Sequence, residues 1–205
     1  MIKKINFRDQ VKEVLLKRMR SGNLDPKKSL SLASLARELD VSVTPIREAL
    51  TQLQTSGIVE SIPNRGFFIP KLSKGEAKNL YELVSSIESL AVMHSTFEEQ
   101  DIAKLKELNE TFKHTDTIIQ RINGDMDFHD TLTSNYDNPI ALKILSDLKT
   151  RIFFYELDFM STESFYLDSS SDHEQIIAQI EAGDLERACV VLKKNWLNIL
   201  DHLNL

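Results

Sequence analysis

The chain has little cysteine, glycine or proline. A single thiol, Cys189, stands in 205 residues. It cannot close an internal disulfide or build a multi-cysteine metal site. No apolar run approaches the roughly 18 residues of a membrane-spanning helix, so no membrane partner is expected. The basic opening MIKKINFRDQVKE is followed by no continuous apolar stretch. It therefore does not read as a signal peptide, and the cytoplasm is the expected location. No internal repeat or low-complexity tract is visible. Six glycines and five prolines leave long uninterrupted segments. What is present is an apolar fraction of 41%, ample for real cores, and 27% charged residues. The net charge of -6 hides an asymmetry. Residues 1–75 hold 14 Lys and Arg against 7 Asp and Glu, and residues 76–205 hold 11 against 24. A basic portion on an acidic remainder points to a polyanion partner for the first part alone, although charge can also simply drift along a chain.

Apolar periodicity predicts a helix over 8–20, with Val11, Val14, Leu15 and Met19 on one side, and a short second helix over 32–39. Between them SGNLDPKKS is turn chemistry. Asp40-Val41-Ser42 is a tight turn. A third helix over 44–55 has Pro45 in its first turn, Ser42 or Thr44 as cap, and Ile46, Ala49, Leu50 and Leu53 as its buried stripe. Gly57 would end it through a left-handed residue. The period then changes. Two short strands are expected at 58–62 and 67–70, joined by Pro63-Asn64-Arg65-Gly66. Helix, helix, turn, helix, hairpin is the order of a winged helix-turn-helix. From 74 onward six helices are expected, at 74–94, 98–112, 115–135, 139–159, 164–182 and 185–203, with Ser169-Ser170-Ser171 a kink or short loop. The predicted fold is mostly α: a winged helix-turn-helix domain over 1–72 and an antiparallel bundle of about six helices over 73–205.

The buried stripe of the third helix turns Arg47, Thr51 and Gln54 outward. Ser42 and Thr44 at its start can hold phosphates. Arg47 can reach a guanine edge or grip a phosphate. Arg65 at the hairpin tip can enter a minor groove, and Gly66 lets the turn approach the backbone closely. Against this, a helix-surface arginine is usually only solvated, and helix-turn-helix geometry also occurs in proteins that never touch DNA.

In the second part the informative residues are polar groups on apolar stripes. Ile122, Asp125, His129 and Leu132 share one helix face. His173 lies on the face of Ile176, Ile177 and Ile180, and Asn195 between Leu192 and Ile199. One carboxylate and two imidazoles suit a borderline divalent metal such as Zn, Ni or Mn. The alternative is an ordinary Asp125–His129 hydrogen-bonded pair with His173 a satisfied core histidine.

The stretch SLASLARELDVSVTPIREALTQLQTSGIVESIPNRGFFI, and within it LARELDVSVTPIREAL, resembles the DNA-binding domain of the GntR family of bacterial regulators. The resemblance implies Ser42, Thr44, Arg47 and Gly66, with Arg65, as DNA-contacting residues. Two departures stand out. SGNLDPKKSL keeps Gly22, Leu24 and Pro26 of the family's opening but has Lys27 where a glycine falls. Val43 stands where the family usually carries an arginine that touches the operator.

The segments DMDFHDTLTSNYDNP at 125–139 and DHEQIIAQIEAGDLERA at 172–188 resemble the helical, FCD-like ligand-binding domain of the FadR-type branch. There one Asp and three His hold a metal. The match supplies Asp125, His129 and His173, with Asn195 at the third histidine position. The branch often places an arginine one turn after the Tyr-Glu pair, but Tyr81-Glu82 is followed by Leu83-Val84. Arg151 is the substitute considered for gripping a carboxylate.

Together these readings imply a ligand-responsive, DNA-binding transcriptional regulator, a repressor rather than an enzyme. It would bind a palindromic operator on double-stranded DNA as a homodimer, with a small organic acid as effector and a divalent metal at Asp125, His129, His173 and Asn195. Two rivals remain: a metal-dependent hydrolase using Asp125, His129 and His173, and a structural DNA-coating protein that takes no ligand. Phe153, Phe154, Tyr155, Phe159, Phe165 and Tyr166 are expected in core packing.

Overall fold

A computed structural model describes residues 7–21, 29–70, 73–159 and 163–202. The expected turn over 22–28 lies outside them, as do the side chains of Met19, Phe159, Phe165 and Tyr166. The chain divides into two compact units, Met1–Lys71 and Leu72–Leu205.

The first unit is built on α1 (Phe7–Arg20), α2 (Leu32–Glu38) and α3 (Val43–Thr55), followed by β1 (Glu60–Ile62) and β2 (Gly66–Phe68). Ser31 caps α2 by accepting from the Ser34 N–H, the hydroxyl-to-backbone bond that starts helices. Asp40, at φ 52°, makes the turn between α2 and α3. The third helix buries Ile46, Ala49, Leu50 and Leu53, the expected stripe. Gly57 follows it at φ 69°, a left-handed position cheap only for glycine. Ser42 occupies the N-cap position but makes no side-chain cap bond, so neither it nor Thr44 plays the expected capping part. In α1, Val11 and Leu15 are buried, whereas Val14 is exposed because it falls off the face that packs on α3.

The strands are shorter than expected. They pair antiparallel with Ile62 opposite Gly66 and Glu60 opposite Phe68. Leu30 adds a bridge to Phe67, its N–H donating to the Phe67 carbonyl at 2.7 Å. The isolated Leu30–Phe67 bridge leaves no alternation in the sequence to read.

The second unit is a six-helix bundle: α4 (Lys74–Met93), α5 (Glu99–Lys113), α6 (Ile118–Thr133), α7 (Pro139–Phe159), α8 (Glu163–Glu181) and α9 (Leu185–His202). Capping boxes fix three starts, at Ser73 with Glu76, Glu98 with Asp101, and Thr117 with Gln120. The last explains why α6 begins three residues later than its periodicity predicts. Ser169-Ser170-Ser171 is not a loop. It runs inside α8, where Ser169 and Ser170 are buried. A turn at Gly183 reverses the chain, and Asp184 caps α9 by accepting from the Arg187 N–H. In α4 and α7, Glu88 faces Lys149 and Tyr81 faces Glu156, so these two helices run antiparallel. Among the described residues, no helix is long and apolar enough to cross a membrane.

Candidate metal centre and nucleic-acid interface

Asp125 and His129 stand one turn apart on the buried face of α6, and His173 stands on the buried face of α8. Their donor atoms all lie within 4.8 Å of one another. His173 Nε2 is 3.4 Å from Asp125 Oδ1, and His129 Nε2 is 3.8 Å from Asp125 Oδ2. Asn195 on α9 joins them. Its Oδ1 is 3.1 Å from His129 Nε2, and its Nδ2 donates to Ser169 Oγ, which donates to Asp125 Oδ1 at 2.6 Å. The structure thus brings together all four residues singled out for this site.

The outer face of each imidazole is fixed. His129 Nδ1 donates to Glu88 Oε2 at 2.7 Å. His173 Nδ1 is 3.1 Å from Asn109 Oδ1, and the Asn109 amide is oriented by donating to the Ser170 carbonyl. That orientation makes Asn109 Oδ1 an acceptor and His173 Nδ1 a donor. Both rings therefore turn Nε2 toward Asp125, the arrangement in which a histidine serves as a metal ligand. Phe128 stacks on His173 at 3.7 Å between ring centres and holds its plane.

Charges in this core are strongly displaced. Burial alone would raise the Glu88 pKa, but His129 and Lys149 outweigh it and hold the carboxyl at about 2. Asp125 is likewise brought to about 2, its burial overcome by the two histidines and Ser169. For His129, burial is outweighed by Glu88 and the pKa rises. For His173, burial wins and the pKa falls. His173 Nε2 faces Asp125 Oδ1 at 3.4 Å, and a divalent cation between them would take the place of a proton there. With both nitrogens donating, His129 likewise carries a proton that a metal would displace. The donor set fits a divalent ion.

Further residues of this network were not foreseen from the sequence. Lys149 Nζ lies 2.6 Å from Glu88 Oε1 and 2.8 Å from Asp130 Oδ1, so a buried lysine bridges the core glutamate to a surface aspartate. Trp196 Nε1 donates to Glu88 Oε2 at 2.5 Å. Glu156 accepts from the Tyr81 hydroxyl at 3.2 Å. Burial, joined by the charge of Asp125, raises its pKa well above 4.5. Glu88, Lys149 and Glu156 all sit on apolar stripes, the signal that exposed Asp125; it carried equal weight on α4 and α7.

Arg151 is two residues from both Lys149 and Phe153, so it falls off the buried stripe of α7. Its Nε is buried without a partner, and no described contact joins it to Asp125, His129 or His173. Of the aromatic group, Phe153, Phe154 and Tyr155 are buried core residues.

In the first unit, Ser42, Thr44, Arg47 and Thr51 are exposed on the outer side of α3. The Arg47 side chain has no hydrogen bond or ion pair with any described residue, leaving its five donors available. Arg65 lies at the hairpin tip with its guanidinium 5.4 Å from the Phe68 ring centre. Gly66 has φ 97°, and a Cβ there would meet nothing within 4 Å. Backbone conformation, not space, calls for glycine at this position.

Comparison with known proteins adds independent findings. Residues 7–69 match the family described as bacterial regulatory proteins, gntR family, and residues 79–195 match the FCD domain. The chain is 32% identical over 140 residues to the Nta operon transcriptional regulator of Aminobacter aminovorans, covering 65% of this chain and 66% of that protein, just under two thirds of its length. It is 28% identical over 158 residues to the HTH-type transcriptional regulator McbR of Escherichia coli, covering 74% of this chain and 71% of that one. A crystal structure of a GntR regulator from Rhodococcus sp. RHA1 shares the fold at TM-score 0.84 and 20% identity, covering 95% of each chain. These relatives are transcriptional regulators, not enzymes, and the hydrolase rival is set aside.

Proposed function

From the premise that the chain belongs to the GntR family of bacterial regulators and carries an FCD-type C-terminal domain, we propose that this DNA-binding transcriptional regulator is a metal-containing, ligand-responsive repressor. In this reading residues 1–72 are the DNA reader and 73–205 the sensing and dimerising domain. Two copies pair so that two readers meet the half-sites of a palindromic operator. Ser42, Thr44, Arg47, Arg65 and Gly66 make the DNA contacts, and a bound dimer blocks transcription.

The observation that carries the sensor is the convergence of two Nε2 atoms on Asp125, each ring held from behind by Glu88 or Asn109. Asp125, His129 and His173 would hold Zn, Ni or Mn, with Asn195 Oδ1 as fourth donor. The metal supplies a Lewis-acidic position for an oxygen ligand, which favours a small organic acid as effector. Arg151, with its unpartnered Nε, is the residue proposed to meet a second acidic group. The ligand acts on DNA affinity only through different affinities for two reader spacings. Glu88 gives such coupling a handle, because it ties His129 to α4, the first helix after the reader in sequence. A structural DNA-coating protein has no use for a charged network in its core, so that rival is disfavoured.

The test is metal analysis of protein purified without a nickel column, with operator retardation measured before and after chelation. Stoichiometric metal is expected, lost in His129→Ala and His173→Ala. Unchanged metal content in both variants, or none in the wild type after loading, would sink the sensor.

A further inference from the structure

We propose that Val43 reads a thymine methyl group in each operator half-site; this rests on the DNA-reading function given above. The third helix buries Ile46, Ala49, Leu50 and Leu53. At 100° per residue Thr44, Glu48 and Thr51 take the middle of the opposite side, and Val43, Arg47 and Gln54 lie along one edge of it. All six are exposed, and Val43 keeps 39% of its surface. Among the described residues of the first unit the other large apolar side chain left this open is Val14, which belongs to α1. An exposed valine by itself needs no explanation. Val43 differs in its company. It is the apolar member of an exposed edge shared with Arg47, which no described residue pairs, beside the Thr44 and Thr51 hydroxyls and the Glu48 carboxylate, and it stands in the first turn of the helix, whose residues approach base edges in this motif. As a β-branched residue it is a poor helix former.

The chemistry selects the base. In the major groove thymine alone of the four bases presents a methyl group, at C5. Valine has no donor or acceptor. Against the exocyclic amine of cytosine or the O6 and N7 of guanine it would strip water and return nothing, which penalises those bases. Against the thymine methyl both partners shed apolar surface. One methyl buried is worth about 0.8 kcal/mol, or roughly fourfold in affinity. Two half-sites acting independently give roughly fifteenfold.

Full-length protein is used to select from a random duplex pool. Each thymine of the enriched half-site is then replaced by deoxyuridine, which lacks only the methyl. Wild type is expected to lose roughly fourfold per half-site at one thymine. Val43→Ala should bind the same enriched site with that discrimination gone. Val43→Arg should move the preference at that base pair to guanine, the partner of a bidentate guanidinium. An enriched site indifferent to every thymine-to-uracil replacement overturns the role of Val43 and leaves DNA reading intact. Loss that persists unchanged in Val43→Ala also overturns it. Failure to enrich any sequence overturns the reading function and this inference with it.

Discussion

The two units treat their polar side chains in opposite ways. On α3, Thr44 and Arg47 stand in solvent, and no described residue holds the guanidinium. In the bundle, Asp125, His129 and His173 are buried, and each meets at least one neighbouring side chain at hydrogen-bonding distance. An exposed donor costs nothing while it waits for a partner, because water serves it. A buried charge costs several kcal/mol unless the fold itself supplies the partner. A surface for an external polyanion can therefore be built from a few residues on one helix. A buried centre draws on every element around it, and here all six bundle helices contribute, from Glu88 on α4 to Asn195 on α9.

The contrast can be broken most forcefully at Glu88. Glu88→Ala leaves the buried Lys149 ammonium with Asp130 alone and unties His129, and it should cost about 3–5 kcal/mol in urea unfolding. Adding Lys149→Met should recover part of that loss, since the half-paired charge goes with it. A cost below about 1 kcal/mol would mean that the bundle does not depend on this pair. Arg47→Ala should show the opposite profile. Its unfolding free energy should stay within about 0.5 kcal/mol of wild type, while operator affinity falls by about 1–3 kcal/mol per reader in a mobility-shift titration. Equal damage to both quantities would erase the distinction between the units.

The finest test uses pH. Glu88 and Asp125, held at about 2, contribute stability that is present above their ordinary range near 4 and lost as pH falls toward 2. Glu156 runs the other way. Burial and the charge of Asp125 raise its pKa, so the folded chain holds the proton more tightly than the unfolded one. Its contribution is complete below about pH 4.5 and declines as pH rises. Glu156→Gln keeps a neutral carbonyl for the Tyr81 hydroxyl. It should therefore be nearly silent at pH 4 and stabilising at pH 8, followed by equilibrium unfolding. A destabilised variant at pH 8 would show that Glu156 works as an anion.

The reader was legible because its information is local. The stripe of α3, the glycine after it and the hairpin turn are each set by neighbours within a few residues, and the bridge from Leu30 to Phe67 escaped because it spans 37 positions. The centre was legible only by halves. Asp125, His129 and His173 betray themselves as polar residues on apolar stripes. The same rule reaches Glu88, Lys149 and Glu156, yet it cannot say that Glu88 meets His129 across 41 positions, or that Lys149 serves both Glu88 and Asp130. Pairing at long range is decided by the packing of α4, α6 and α7 against one another, which no local pattern encodes. The serine run failed for a related reason. Its turn-forming chemistry was overridden once Ser169 and Ser170 found partners in Asp125 and Asn109.

The chain contains one tryptophan, Trp196. Its indole shares the Glu88 oxygen that holds His129, and its ring centre lies 4.4 Å from the imidazole. All indole emission from the native protein thus originates beside the buried histidine. Exchange of the His129 proton for an ion would change the charge against the fluorophore, so intrinsic fluorescence would follow occupancy in unlabelled, unmodified protein.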